Sequence, residues 1–274
     1  MTGFTVLLPV YAGDRSQHFA QAVRSVTFDQ TLRPHQLVVV CDGPVSERID
    51  GMLSALDEMT GGVPSRIVRL TKNAGLARAL EAGLAACEHD VVARADADDI
   101  SEPNRFALEV PRLIEDGLDV IGSAMREFES SGTLGAVRNM PVTDAEIREV
   151  ASFRDPFNHP TVVFRRSAVA AAGGYEHLNK MEDYWLFVRM IHHGARTANI
   201  PEPLVRYRID KGAYQRRGGL EMLRAEWNLQ RKMHALGFVG PLAFARNVIV
   251  RCTYRLVPTA LRRRAYQARF TDSG

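Results

Sequence analysis

Residues 91–101 read VVARADADDIS, an apolar run of strand character that delivers three carboxylates, Asp96, Asp98 and Asp99, within four positions. Carboxylates crowded this closely raise one another's pKa unless positive charge sits among them. Hard divalent cations such as Mg²⁺ or Mn²⁺ take oxygen ligands and often bind through one or two carboxylates plus substrate phosphates. The stretch therefore reads as a cation-binding strand end; an acidic turn facing water is the plain alternative. If the segment is extended, Asp96 and Asp98 point the same way, because side chains alternate along a strand.

Upstream, residues 4–10, 36–41, 67–70 and 90–95 are short apolar strand candidates. Between them, 19–27, 49–59 and 74–86 carry apolar residues at helical spacing, as in Leu76, Leu80, Leu84 and Cys87. Strands alternating with helices imply βαβ units and an α/β fold with a mainly parallel, Rossmann-like central sheet flanked by helices. Two of the strands end on acidic residues, Asp42 and Asp96, and in open α/β sheets the ligand crevice lies beyond the carboxyl ends of the strands. Downstream, helices are expected after Ser101, over 144–152 with Thr143 or Asp144 as cap, over 165–172, 182–193 and 220–236. Strands are expected over 119–125 and 161–164, a hairpin or excursion over 128–137, and extended chain over 200–207.

The chain has 274 residues, 46% apolar and 24% charged, which fits a folded body and neither disorder nor a membrane bundle. No apolar run approaches the roughly 20 residues of a spanning helix. The opening MTGFTVLLPVY has no basic leader and reads as a first strand rather than a signal peptide. Cys41, Cys87 and Cys252 lack metal-ligand spacing and read as thiols in a reducing compartment. The net charge of +3 is uneven: residues 1–240 hold 28 basic and 31 acidic residues, whereas 241–274 hold seven Arg and one Asp. We therefore divide the chain into a body, 1–240, and a basic amphipathic tail, 241–274.

On a helical wheel Phe244, Ala245, Val248, Ile249, Cys252 and Leu256 form one apolar arc, bordered by Arg251 and Arg255 and followed by Arg262, Arg263 and Arg264. Such a segment (241–264) lies on an anionic membrane surface or packs on the body or a second subunit. A nucleic-acid partner is not expected, because the body is slightly acidic and shows no aromatic-basic interleaving.

The ordered motifs Leu8-Pro9-Val10-Tyr11, Asp42-Gly43, Asn73-Ala74-Gly75-Leu76, Ala93-Arg94-Ala95-Asp96-Ala97-Asp98-Asp99 and Met181-Glu182-Asp183-Tyr184 resemble those of family 2 glycosyltransferases. The resemblance covers roughly residues 4–210, and its nearest likeness is to bacterial exopolysaccharide and amylovoran-type sugar transferases. It implies the GT-A fold, with a nucleotide-binding half, 1–100, and an acceptor-binding half, 101–240, a nucleoside diphosphate sugar as donor, Mn²⁺ or Mg²⁺, and inverting transfer to a glycan or lipid-linked saccharide. It maps Pro9, Val10 and Tyr11 onto the loop that embraces the nucleotide, and Asn73 and Arg78 onto the nucleotide side. Asp42 then accepts from a uracil-like base N–H, or else serves as the cap of an Asp-Gly turn. The family's Asn on the following helix is replaced by Glu81, so that contact is not carried over.

In the Asp96-Ala97-Asp98 element, Asp98 becomes the principal metal ligand, Asp96 touches the nucleoside or the metal, and Asp99 supports the donor sugar. Arg94 either pairs with phosphate or offsets its acidic neighbours. Asp183 becomes the base that takes the acceptor proton, with Glu182 orienting hydroxyls; acidic residues in a helix's first turn are alternatively explained by the helix dipole. His159 falls near the donor sugar and diphosphate or is structural. Arg208, with Lys211 and Arg216, falls where basic residues close over the diphosphate. Trp185 reads as core, and Trp227 as core or a sugar platform.

The implied location is cytoplasmic, peripheral at the inner face of the plasma membrane, with a homo-oligomer left open. A metal-dependent sugar nucleotidyltransferase is the second reading, disfavoured by a glycine-poor loop after the first strand. A carbohydrate-binding module is the third, and it has no need of both acidic sets. A dinucleotide reductase lacks its GxGxxG after strand one.

Overall fold

The computed structural model describes residues 3–209 and 219–253. Its first half is four strands and the helices between them: β1 (Phe4–Tyr11), α1 (Ser16–Ser25), β2 (Gln36–Asp42), α2 (Glu47–Ser54), α3 (Leu56–Met59), β3 (Ser65–Arg69), α4 (Leu76–Ala86) and β4 (Val91–Arg94). The chain continues through β5 (Ile100–Ser101), α5 (Arg105–Glu115), β6 (Val120–Glu129), β7 (Leu134–Arg138), α6 (Asp144–Ala151), a 3₁₀ turn (His159–Thr161), β8 (Val163–Arg165), α7 (Arg166–Ala171), α8 (Glu182–His192) and β9 (Thr197–Ile209). Helices α9 (Leu220–Ala235) and α10 (Pro241–Asn247) follow, and α10 runs on as a π-helical turn, Val248–Cys252.

The strands form one sheet in the order β3-β2-β1-β4-β8-β6-β9-β5, with β7 paired to β6. β3, β2, β1 and β4 are mutually parallel, and β6 and β9 run in the same sense; β8, β5 and β7 oppose them. The sheet is thus mainly parallel, as expected, with antiparallel insertions in its second half. Alternation along the strands explains why both faces are covered. Phe4, Val6, Leu8 and Val10 of β1 and Leu37, Val39 and Cys41 of β2 point into one core beneath α1, α2 and α5. Leu7, Val38 and Val40 point the other way, onto α4, α7 and α8. Cys41 and Cys87 are buried thiols, and neither forms a disulfide.

The order 3-2-1-4 puts the topological switch between β1 and β4, where a crevice is expected. β4 pairs with β1 only as far as Leu7↔Arg94, whereas β1 continues beside β2 to Tyr11↔Asp42. The ends of β1, β2 and β4 therefore lie together at one rim of the sheet.

A third core joins Trp185 and Val188 of α8 to Met222, Leu229 and Met233 of α9, with Phe244 packed against it. Trp185 is core, as its spacing suggested; Trp227 is exposed and lies against Phe244 with ring centroids 5.9 Å apart. The tail departs from the expected apolar arc. Asn247 is fully buried, its Nδ2 donating to Ser152 O (2.7 Å) and Gln230 Oε1 (2.9 Å), and Arg251 binds the fully buried Glu226 with both Nε and Nη2. These polar groups, which need partners once buried, fix the docking face. Phe244 turns inward, while Leu242, Ala245, Ile249 and Val250 face out. Leu256, Arg255 and Arg262–Arg264 lie outside the described residues.

Candidate active site

β4 ends at Arg94, and the carboxylates stand on the turn that follows it rather than on extended strand. Ala95 and Ala97 are buried in the core beneath α1, and Asp96 and Asp98 stand on the opposite side, partly exposed. Carboxylate oxygens of Asp96, Asp98 and Asp99 lie within 4.8 Å of one another. Asp99 is buried; its Oδ1 accepts the Arg208 amide at 2.8 Å, and its Oδ2 has no hydrogen-bond partner among the described residues. Burial, and then the charge of Asp96, pushes Asp98 up to about 6 and Asp99 well above the usual carboxylate range. Three converging carboxylates, one with an orphaned buried oxygen, suit a hard divalent cation.

Arg94 sits beneath this group, almost fully buried, and grips Asp96 with both terminal nitrogens. Its backbone carbonyl accepts from Arg105, itself paired with the buried Glu109. Arg208, from the end of β9, donates from Nε to Asp98 O (2.8 Å) and from Nη2 to Gln21 Oε1 (2.9 Å), closing one side of the crevice. Lys211 and Arg216 lie outside the described residues.

Asp14 is the member that sequence reasoning missed. It lies in the loop after β1, accepts the Tyr11 amide at 2.9 Å, and is pushed up to about 7, chiefly by burial and further by the charges of Asp98 and Asp96. It therefore faces the trio from the neighbouring strand end; its place directly after β1 on the rim was the available signal.

At the end of β2, Asp42 is buried, and its two oxygens accept the amides of Ala74 (2.6 Å) and Gly75 (3.0 Å). It thus ties the β2 end to the loop before α4. Gly43 beside it has φ +82°, and a Cβ there would stand 2.5 Å from Asn73 N. Asn73 donates weakly to Asp42 O (3.4 Å) and is exposed, as is Arg78 on α4. Of the β1 set, Pro9 and Val10 are buried and only Tyr11 is exposed. Glu81 has a structural partner: its carboxylate accepts the Tyr175 amide, and a side chain at Gly174 (φ +71°) would collide with it.

The second set of carboxylates lies at the start of α8. Asp183 Oδ1 accepts the Tyr184 amide at 2.8 Å, and Oδ2 stands 3.9 Å from His159 Nδ1. His159 is buried, with Nε2 2.8 Å from the Tyr175 hydroxyl; burial and the nearby Arg94 charge hold its pKa well below the ordinary range, so the ring is neutral. With the Tyr175 hydroxyl donating to Nε2, Nδ1–H is directed toward Asp183. Burial and the charge of Glu182 push Asp183 up to about 6. Asp155, in the loop after α6, is raised well above its ordinary value by burial and by the charge of Asp183.

Arg94 joins the two sets. Its guanidinium contacts Asp96 directly and lowers the pKa of Asp98, Asp99, Asp183 and His159. Asp183 therefore lies on the same side of the sheet as the β4 trio. His159 stands in the wall between them, beside Tyr175 and Phe187.

The chain is similar to known proteins along most of its length. Residues 5–178 match the family model for glycosyl transferase family 2. The amylovoran biosynthesis glycosyltransferase AmsE of Erwinia amylovora is 34% identical over 96% of this chain and 98% of its own. The UDP-Gal:α-D-GlcNAc-diphosphoundecaprenol β-1,3-galactosyltransferase of Escherichia coli is 31% identical over 96% of this chain and 95% of its own. Among solved structures, the mannosyltransferase PcManGT of Pyrobaculum calidifontis, in complex with GDP-Man and Mn²⁺, superposes with a TM-score of 0.65 at 17% identity, covering 99% of this chain and 75% of its own. That likeness supports the GT-A fold.

Proposed function

The chain belongs to glycosyl transferase family 2, and on that premise we propose that it moves a hexosyl unit, with inversion, from a UDP-sugar to a glycan or polyprenyl-linked saccharide. The observation that carries the reading is the pair of carboxylate sets on either side of Arg94. One set suits a cation and a diphosphate; the other offers a half-buried carboxylate beside a neutral His. The relative acting on UDP-Gal and a diphosphoundecaprenol-linked sugar supports the donor and acceptor classes.

Asp98 and Asp96 would hold Mn²⁺ or Mg²⁺, with Asp99 behind them. When bound, such an ion offsets charge on the departing diphosphate. The protein's own residues do the rest. Asp183 takes the proton of the acceptor hydroxyl as its oxygen bonds to the anomeric carbon, and the carbon–oxygen bond to the diphosphate breaks, the leaving UDP keeping the electron pair. Glu182 orients acceptor hydroxyls. His159 fixes the Asp183 carboxylate, and Arg208 closes over the diphosphate. Tyr11, with the backbone of Pro9 and Val10, and Asn73, Arg78 and Asp42 border the nucleoside.

No helix among the described residues is long and apolar enough to cross a membrane. The exposed face of Leu242, Ile249 and Val250, with the basic sequence that follows, supports peripheral attachment to an anionic membrane on its cytoplasmic face. The test is a panel of UDP-sugars with and without Mn²⁺, using a synthetic diphospholipid-linked saccharide, with the product's anomeric configuration read by NMR. Metal-dependent UDP binding and an inverted product are expected; no metal-dependent nucleotide binding would end this reading. Replacing Leu242, Ile249 and Val250 by Ser should release the protein from phosphatidylglycerol vesicles, and unchanged sedimentation would sink the attachment.

A further inference from the structure

One guanidinium holds both ends of the acidic turn. The three carboxylates lie between β4, which ends at Arg94, and β5, which contains Ser101. Arg105, the first residue of α5, is wholly buried. Its Nη2 donates to Arg94 O at 2.8 Å and its Nη1 to Ser101 Oγ at 3.0 Å. Its Nε donates at 3.0 Å to Oε2 of the equally buried Glu109, one turn further along the helix. The planar fork of an arginine fixes the directions of these bonds, as a lysine ammonium does not. A single side chain therefore sets how far apart the two ends of the turn stand.

The other contacts of those ends show what this bridge adds. Arg94 N donates to Val162 O (2.9 Å) and Ala95 N to Leu7 O (3.0 Å). Ser101 N donates to Ser25 Oγ (3.1 Å), and Glu102 N to Leu204 O (2.9 Å). These bonds tie each end to a different neighbour, whereas Arg105 ties the ends to each other. The bridged residue Arg94 also carries the guanidinium that grips Asp96. Like charges on Asp96, Asp98 and Asp99 push the turn apart, more strongly where water screens them less. A cross-link at the base of the turn opposes that spreading, so the ligands are gathered by folding rather than at the moment of binding. For filling space alone the Arg105–Glu109 pair is a poor choice, since apolar side chains of similar volume often do as well or better.

We propose that Arg105 is a positioning residue for the cation site: by joining Arg94 O to Ser101 Oγ it fixes the span of the acidic turn, and with it the convergence of Asp96, Asp98 and Asp99. This rests on those carboxylates holding the divalent ion. Glu109 supplies the counter-charge that a buried guanidinium needs, and its bond to Nε leaves both terminal nitrogens for the turn.

The test measures the Mn²⁺ concentration that gives half-maximal UDP binding to the full chain, by calorimetry, with the unfolding temperature read alongside. Ser101→Ala removes one end of the bridge and no charge. It should raise that concentration about three-fold and move the unfolding temperature by less than about 4 °C. Arg105→Met/Glu109→Leu removes the bridge with its counter-charge and keeps apolar volume, so it should fold and need about ten-fold more Mn²⁺. Arg105→Lys should share this defect, because an ammonium cannot hold both acceptors in a fixed fork. At saturating Mn²⁺ the transfer rate of each should return to within about two-fold of wild type. Glu109→Gln should behave in the opposite way, lowering the unfolding temperature while the Mn²⁺ requirement stays within about two-fold, since Gln still accepts from Nε. If the double variant does not fold, Ser101→Ala decides alone. A wild-type Mn²⁺ requirement in Ser101→Ala and the double variant, or a requirement that follows unfolding temperature through every variant including Glu109→Gln, would show that Arg105 only stabilises the core. UDP binding by the wild type that ignores Mn²⁺ would instead end the cation reading, so the first measurement tells the two failures apart.

Discussion

Asp96, Asp98 and Asp99 come from four consecutive positions at one strand end, whereas Asp155 and Asp183 are brought together from a loop and a distant helix start. The first set is supported by local geometry. The turn after β4 converges the three carboxylates, and Arg94, two residues before Asp96, supplies the cation beneath. The second set has one local contact, the Tyr184 amide on Asp183, and otherwise leans on tertiary neighbours, His159 and Tyr175. The donor side is thus preformed by one short stretch, and the acceptor side depends on much of the second half being folded. Both sets crowd carboxyls whose burial and mutual charge raise their pKa, a common mark of functional sites.

The comparison is tested most severely by exchanging charge for amide on each side. Asp98→Asn should abolish Mn²⁺-dependent UDP binding. Asp183→Asn should keep UDP binding and lower kcat by about 10²–10⁴-fold, the usual contribution of a general base. Calorimetry with UDP and a transfer assay separate them; full turnover in both variants would undo the division of labour.

A smaller effect concerns pH. Asp183 is pushed up to about 6, so transfer should rise as pH passes through 6 and then level off. The sign for stability is opposite. A carboxyl whose folded pKa is raised withdraws stability as pH climbs from its unfolded value through its folded one. Asp183→Asn should therefore raise the unfolding temperature at pH 7.5 while removing activity. A lower unfolding temperature in that variant would mean that the carboxylate is held by partners rather than strained.

The smallest expected effect is at Asp42, where the donor-side rim meets α4. Asn keeps one acceptor oxygen but loses the charge on two accepted amides, so Asp42→Asn should cost about 1–2 kcal/mol in denaturant unfolding with UDP affinity nearly unchanged. If affinity fell more than about ten-fold with stability intact, direct contact with the base would be the main role of this residue.

What could be read from the chain follows the same division. The strand–helix alternation and the acidic strand end were legible because periodicity and spacing are local. Thr143 was legible as a cap, and it forms a full capping box with Glu146. Asp155 and Tyr175 were not, because nothing near them in sequence announces which distant groups they will face; Asp14 was overlooked although its place directly after β1 marked it. The tail was read by its apolar arc, yet its orientation is decided by Asn247 and Arg251, two polar residues whose partners sit on other helices. Asp42 offered two readings that spacing could not separate, and its oxygens accept two amides from the distant loop before α4, a contact neither reading named.

The pairing of Glu226 with Arg251 carries an implication for synthesis. During translation Glu226 leaves the ribosome 25 residues ahead of the only cation it is seen to bind among the described residues. Until Arg251 emerges, the Glu226 carboxylate has Gln230, one turn along α9, as a neutral donor but lacks this charged partner. The strands and helices of residues 4–94 can then pair with one another before the face that Glu226 and Arg251 share is closed.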